Sequence, residues 1–417
     1  MRRAALPCLA GILAAAVACA PRGAPLPAPN APAAAATVAS SASGTPAAGL
    51  VPALQDTVRR TLLAGLEASA YPGAYAIVGT ADRVLAEVGV GQLDITASPA
   101  PDAGTLWDLA SLTKVVATTS AVMQLVEQRQ VELDAPVVRY LPAFAGPGKE
   151  RVTIRHLLTH SSGLPAWRPL YKEAPTPDTA RVFVLATPLD TVPGVRYVYS
   201  DLGAILLGMV VERVSGEPLD QYVQRHVLAP LGMTSTMYRP AAALAPRAAP
   251  TEIDPWRQRH LRGEVHDENA AALGGVSGHA GLFGTATDLS RLARAYLNGG
   301  TLDDRRVWAD STIRLFTAVQ NPALSHRALG WETPSGTNSA GHRMSARAFG
   351  HTGFTGTSFW VDPEAGVYVI LLTNRVNPTR ERSGIGTVRV ALADAVLGLA
   401  DAGLLGTSSF TSPAPRP

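Results

Sequence analysis

The densest chemistry in the sequence lies in Trp107-Asp108-Leu109-Ala110-Ser111-Leu112-Thr113-Lys114. Residues three apart share one face of a helix, so the Ser111 hydroxyl and the Lys114 amine are expected to be neighbours. A serine hydroxyl is a poor nucleophile until an adjacent base accepts its proton. Lys114 is followed by Val115, Val116 and Ala117. Burial among such residues disfavours the charged amine, so a neutral lysine able to act as a base is expected. The choice of residue points the same way. Of 36 basic residues only Lys114, Lys149 and Lys172 are lysines, and arginine cannot give up its proton. The bland alternative is a lysine snorkelling from a helix edge.

A second stretch, Tyr197-Val198-Tyr199-Ser200-Asp201, precedes an apolar helical run from Leu202 to Val214. Ser200 or Asp201 could simply cap that helix. The functional reading makes Tyr199 a second proton carrier, its hydroxyl tuned by neighbouring cations. A third stretch, Phe349-Gly350-His351-Thr352-Gly353-Phe354-Thr355-Gly356, leads into a strand pattern. Its glycines would let a substrate backbone approach closely. Read alone, it is a tight strand-entry turn with one surface histidine.

Taken together and in this order, the three stretches resemble the serine β-lactamase-like hydrolase family, whose pattern is Ser-x-x-Lys, Tyr-x-Asn, then Lys-Thr-Gly or His-x-Gly. Further stretches are similar to that family: His156 to Leu164, Pro230-Leu231-Gly232-Met233 and Gly281-Leu282-Phe283-Gly284-Thr285. The resemblance spans roughly residues 52 to 400 and covers class C β-lactamases, D-alanyl-D-alanine peptidases and family VIII carboxylesterases. It implies Ser111 as the acylated nucleophile, with Lys114 and Tyr199 as the proton-transfer pair. His351 takes the place of the lysine that poises the tyrosine. The backbone N–H groups of Ser111 and Phe354 would form the oxyanion hole. Asp201, Thr352, Gly353, Asn374 and Arg375 would face substrate, with Arg375 suited to a carboxylate. Two departures stand out. Asp201 replaces the asparagine, and an ionised aspartate cannot donate a hydrogen bond. His351 replaces lysine, and with a reference pKa of about 6.5 it is expected to be partly charged near neutrality. Both argue against efficient β-lactam hydrolysis.

Other candidates carry less. Glu264-Val265-His266-Asp267-Glu268-Asn269 has the residue types of a metal site, but an irregular loop lacks the spacing that makes ligands converge. It is read as a hydrogen-bonded structural loop beside the pocket, and no metal or organic cofactor is expected. His279 is placed on the cleft wall and His160 at a helix end. Trp256, with the arginines that follow it, reads as a solvated flap.

The elements that must position these groups follow from periodicity. Helical spacing runs over Asp56 to Ser69, and strands are expected at 74–79 and 84–91. Leu112 to Gln128 reads as a helix buried on most faces. Residues 153–230 look chiefly helical and 240–282 irregular. A helix follows at 288–297, strands at 347–351, 357–361 and 366–373, and a last helix at 386–399. Strands at both ends of the chain imply an α/β (α+β layered) architecture. A mainly antiparallel sheet is flanked by the terminal helices, with an inserted, mostly helical lobe.

Composition bounds the rest. Hydrophobic residues make up 47% and charged residues 17%, which excludes wholesale disorder. Net charge is +3 with no block of like charge, which argues against a nucleic-acid partner. Arg2, Arg3 and the apolar run from Leu6 read as an export signal over residues 1–19, similar to a lipoprotein signal with Cys19 lipidated. An ordinary signal peptide is the alternative. Residues 20–50 read as an Ala/Pro/Ser linker, 51–405 as the catalytic domain and 406–417 as a tail. Cys8 and Cys19 are the only cysteines, so no disulfide is expected in the body. The expectation is a periplasmic, monomeric hydrolase of peptidoglycan-derived or small-molecule substrates. Its rival is a penicillin- or peptidoglycan-binding sensor of the same fold without turnover.

Overall fold

The computed structural model describes residues 50–96, 98–335 and 338–401. Helix α1 (Leu50–Glu67) leads into strands β1 (Gly73–Thr80) and β2 (Val84–Gly91). Helices α2 (Ser120–Glu127), α3 (Asp201–Ser215) and α4 (Ala286–Leu297) belong to the middle of the chain. Strands β3 (Phe349–Thr352), β4 (Ser358–Asp362) and β5 (Val367–Thr373) then precede the last helix, α5 (Ile385–Asp401). The five strands form one antiparallel sheet in the order β3-β4-β5-β1-β2. The first and last strands therefore meet in the sheet centre, where Ile77 pairs with Ile370.

Alternation along β1 divides its side chains between two cores. Ala74, Ala76 and Val78 pack with Leu54, Val58 and Leu62 of α1 and with Val388, Leu392 and Val396 of α5. Tyr75 and Ile77 point to the other face, against Leu112, Val115, Leu289 and Leu292. The strand is hydrophobic throughout because both faces are covered. The expected layered architecture is the one observed.

One expected element differs. Leu112 to Gln128 is not a regular helix. Ala110–Leu112 is a 3₁₀ turn, Lys114–Thr119 is wound as a π-helix, and only Ser120–Glu127 is α-helical. The Ser120 hydroxyl donates to the Val115 carbonyl five residues back, across the widened turn. Such widening concentrates at functional sites. The N-terminal signal, the linker, Cys8, Cys19 and the tail beyond residue 401 lie outside the described residues. No helix among the described residues is long and apolar enough to cross a membrane.

Candidate active site

Ser111 sits on a constrained turn. Trp107–Asp108 pairs with Leu282–Gly284, and the Leu109 N–H continues that pairing onto the Leu282 carbonyl at 3.0 Å. The chain then reverses at Ala110, whose φ of 47° is left-handed for a residue with a Cβ. The buried Asp108 carboxylate holds this turn, accepting from the Ala110 N–H at 2.8 Å and the His266 N–H at 2.6 Å. Strand β3 and its following turn are fastened to the same spot. Thr355 and Thr357 donate hydroxyl hydrogen bonds to the Asp108 and Leu109 carbonyls, at 2.8 and 3.2 Å. Gly353 is required here, since a Cβ would lie 2.7 Å from the Leu109 carbonyl oxygen.

Lys114 donates to the Ser111 hydroxyl at 2.9 Å and to the His279 carbonyl at 3.2 Å. Its Nζ also lies 2.8 Å from Asp201 Oδ1. The expected neutral amine is therefore corrected. Burial alone would push the amine down, but Asp201 and then the Tyr199 phenol outweigh it and hold it above its ordinary value. Lys114 is an ammonium that points at the nucleophile. Asp201, read as a substrate contact, is its counter-ion.

Tyr199 packs around this charge. The Lys114 Nζ is 5.0 Å from its ring centroid and the Arg327 guanidinium 5.3 Å. His160 stacks at 4.6 Å, tilted, and fixes the segment: its Nδ1 accepts the Ser200 N–H at 3.0 Å, and its carbonyl accepts the Val198 N–H at 2.8 Å. His160 thus holds the N-terminal end of α3, as expected, together with the tyrosine segment before it. Ser200 caps α3, accepting from the Gly203 N–H.

His351 lies 5.9 Å from the Tyr199 ring, centroid to centroid. It is buried rather than on the surface. Its Nδ1–H donates to the Thr352 carbonyl at 2.8 Å, which leaves the Nε2 lone pair, buried and without a partner among the described residues. Burial, then Arg327 and Lys114, push its pKa well below the ordinary histidine value. The expected partial charge is corrected to a neutral imidazole.

The pocket over Ser111 has a volume of about 360 Å³ and is walled by Tyr199, His351, Thr352, Gly353, Phe354 and Arg375, among others. The N–H groups of Ser111 and Phe354 are engaged by no other group among the described residues. The Phe354 side chain, 48% exposed, stacks on His266, which the buried Glu252 holds at 2.9 Å. Arg389 on α5 donates to the Gly353 and Thr357 carbonyls at 2.8 and 2.7 Å and so braces the same turn from behind. Burial and then Arg375 push its guanidinium down to about 10.

Three expected substrate contacts are used otherwise. His279 is fully buried, its ring between the Ser277 hydroxyl and the Asp267 carboxylate at 2.8 and 2.9 Å. Asn374 is buried as well, accepting from Gly73 N–H and donating to the Leu93 carbonyl. Arg375 lines the pocket, but its guanidinium donates to the carbonyls of Phe354, Arg380 and Arg382. The 264–269 loop is hydrogen-bonded as expected: Glu264 pairs with Arg257 and Arg259, and Asn269 bridges to Arg168 and Tyr171. Asp201, Asp267 and His279 place three ligand-type atoms within 4.8 Å of one another. The Lys114 ammonium already supplies the positive charge at Asp201. Burial alone would raise the Asp267 carboxyl, but His279 holds it well below the usual carboxylate range. Sequence reasoning missed Asp108, Arg327, Glu332 and Arg389. Arg327 and Arg389 do not stand out among so many arginines, and the two carboxylates take their place in the site only through tertiary folding.

The β-lactamase family model matches residues 58–393. A candidate D-alanyl-D-alanine carboxypeptidase of Escherichia coli K12 is 35% identical over 303 residues, covering 65% of this chain and 69% of its own. An N-acetylmuramyl-L-alanine amidase of Bacillus subtilis 168 is 34% identical over 352 residues, covering 74% and 78%. The crystal structure of a penicillin-binding protein homologue from Caulobacter crescentus superposes with a TM-score of 0.69 at 20% identity, over 85% of this chain and 99% of that one. That likeness is one of fold. With the Ser111–Lys114 pair at the centre of that fold, the chain belongs to the β-lactamase family and is a serine hydrolase.

Proposed function

We propose that the chain is an exported hydrolase that forms an acyl-enzyme on Ser111 with an amide or ester substrate, either a D-alanyl peptide of the cell wall or a carboxylic ester. The observation that carries this reading is the 2.9 Å contact from the Lys114 ammonium to the Ser111 hydroxyl. An adjacent cation stabilises the alkoxide that must form when the hydroxyl attacks. The charged Lys114 is not the proton acceptor in the resting state. Tyr199, packed beside the Lys114 ammonium on the wall of the same pocket, takes the Ser111 proton as it passes its own on to the leaving group. Charge developing on the substrate carbonyl oxygen is met by the N–H groups of Ser111 and Phe354, each donor contributing on the order of 3 kcal/mol. The leaving group departs with that proton, and water then resolves the ester on Ser111. β-Lactam hydrolysis is a subordinate activity, because Asp201 is committed to Lys114 and cannot donate to a drug amide. Cell-wall peptides are favoured by the likeness to the carboxypeptidase and amidase relatives. Export rests on the signal-like residues 1–19.

An intact-mass time course of the purified protein with a penicillin, alongside Ser111→Ala, tests this. One drug mass on the wild type alone, together with turnover of a short-chain ester by the wild type alone, is expected. A lasting adduct without turnover of any ester or amide would favour a binding sensor. Neither adduct nor turnover would remove the reading.

A further inference from the structure

Two separate turns must hold still for the oxyanion hole to exist. The Ser111 N–H belongs to the turn at 109–112 and the Phe354 N–H to the turn at 353–356. The second turn carries Gly353 and Gly356, the latter at a φ of 105°, so its backbone has little stiffness of its own. It also carries a phenyl ring half-exposed to solvent, where a small residue would supply the same N–H.

His266 touches both turns. Its N–H donates to Asp108 Oδ2 at 2.6 Å, while Asp108 Oδ1 accepts the N–H of Ala110, next to Ser111. Its ring stacks on Phe354, with centroids 5.7 Å apart and planes inclined by 24°. The ring is fixed in turn. Its Nε2 lies 2.9 Å from Oε2 of the buried Glu252, which also accepts from the Arg380 N–H at 3.0 Å and the Arg380 Nε at 2.7 Å. Burial alone would raise the Glu252 carboxyl, but His266 and then Arg380 hold it below the ordinary carboxylate value. Arg257 donates to the Val265 and His266 carbonyls, both at 2.7 Å, and fixes the main chain. A core histidine satisfied by its carboxylate would need no exposed ring stacked on it.

We propose that His266 is a positioning residue for the oxyanion hole. Its main chain holds the Ser111 turn and its ring holds Phe354, so that both N–H donors face one point, with Glu252 as the anchor of this brace. The inference rests on Ser111 being the acylated residue and on these two N–H groups receiving the developing charge. Donors fixed beforehand need no reorganisation when the charge forms, and a displacement on the order of 1 Å forfeits much of their effect.

Butylboronic acid is the probe. The Ser111 oxygen gives an electron pair to boron and its proton passes to solvent, which leaves a tetrahedral anion with a boron-bound oxygen for the hole to receive. The alkyl chain has no ring to stack on Phe354. His266→Ala should raise the inhibition constant about tenfold and lower kcat/KM on p-nitrophenyl acetate by a similar factor. A merely structural loss would reduce the active fraction and leave the inhibition constant where it was. His266→Phe, which keeps a ring against Phe354, should recover part of the loss. His266→Gln, which keeps only a partner for Glu252, should not. Phe354→Ala keeps its N–H, removes the other half of the stack and should weaken the boronate as much as His266→Ala does. The double variant should be no worse than either, since both changes remove one contact. The Phe354 side chain is exposed, so Phe354→Ala decides the question even if His266→Ala does not fold. An unchanged inhibition constant in either single variant, or losses that multiply in the double variant, overturns the inference and leaves the hydrolase reading standing. A wild type that neither turns over the ester nor binds the boronate brings down the hydrolase reading and this inference with it.

Discussion

Lys114 and Lys149 are both buried, at 4% and 2% exposure, yet their surroundings push them in opposite directions. Lys149 begins a 3₁₀ turn, donates to the Leu185 carbonyl at 2.6 Å and lies 4.6 Å from the Phe144 ring centroid. No carboxylate reaches it among the described residues, and burial pushes its amine down. Lys114 is enclosed by apolar side chains to a similar degree, but Asp201 touches it and the direction reverses. The difference teaches that a charged partner decides in which direction the pKa of a buried lysine moves in this protein. The site that does chemistry is the one where a charge is kept inside the fold beside a nucleophile.

The comparison breaks most sharply by deleting each amine in turn. Lys114→Met removes the cation beside Ser111 and should lower kcat/KM on a short-chain ester by about 10³-fold, the scale of losing a preorganised charge at a reacting oxygen. Lys149→Met should change it by less than about threefold, because the Leu185 carbonyl is not part of the pocket. Comparable losses in the two variants would show that both lysines act through stability alone.

The next largest effect comes from removing the partner rather than the amine. Asp201→Asn leaves Lys114 as a buried ammonium without its counter-charge, which makes it resemble Lys149. Breaking one side of a buried pair costs on the order of 3 kcal/mol, seen as a lower urea midpoint. Lys114→Met is predicted to be less destabilising than Asp201→Asn, since it leaves no uncompensated cation inside. The reverse ranking would show that Asp201 does not set the state of Lys114.

The same contrast explains what was legible in the sequence. Lys114 stood out because lysine is scarce here, and Ser111, Tyr199 and His351 because their spacing and order are informative. The sheet was legible because β1 and β5 read as apolar runs of strand length. The π-wound stretch was not, because Lys114–Thr119 is buried on every side and no polar face marks the helical phase. Protonation states were misread for one physical reason. Local sequence shows the apolar neighbours of Lys114 and the reference titration of His351, but not the Asp201 carboxylate or the Arg327 cation that tertiary folding brings up. Arg327 and Arg389 were invisible because arginine is this chain's default cation: 36 basic residues less three lysines leaves 33.

The smallest effect sharpens the comparison through its sign. The folded-state pKa of Lys149 is lowered, so at neutral pH the folded protein carries an ammonium that burial disfavours, or releases its proton while the unfolded chain keeps one. The unfolded state therefore binds more protons in the window below the unfolded lysine value of about 10.4, and this contribution to stability grows as pH rises. Lys114 runs the other way. Its folded-state pKa is raised, so its contribution is fully present below about 10.4 and is lost as pH rises through the folded value. Urea midpoints at pH 8 and pH 10 should then show wild type gaining on Lys149→Met as pH rises. Over the same interval, where Lys114 stays charged in the folded state and begins to titrate only in the unfolded one, wild type should gain nothing on Lys114→Met and start to lose. Parallel responses of the two variants would mean that Asp201 does not separate the two lysines. Opposed responses would tie the charge beside Ser111 to its partner, independently of any substrate.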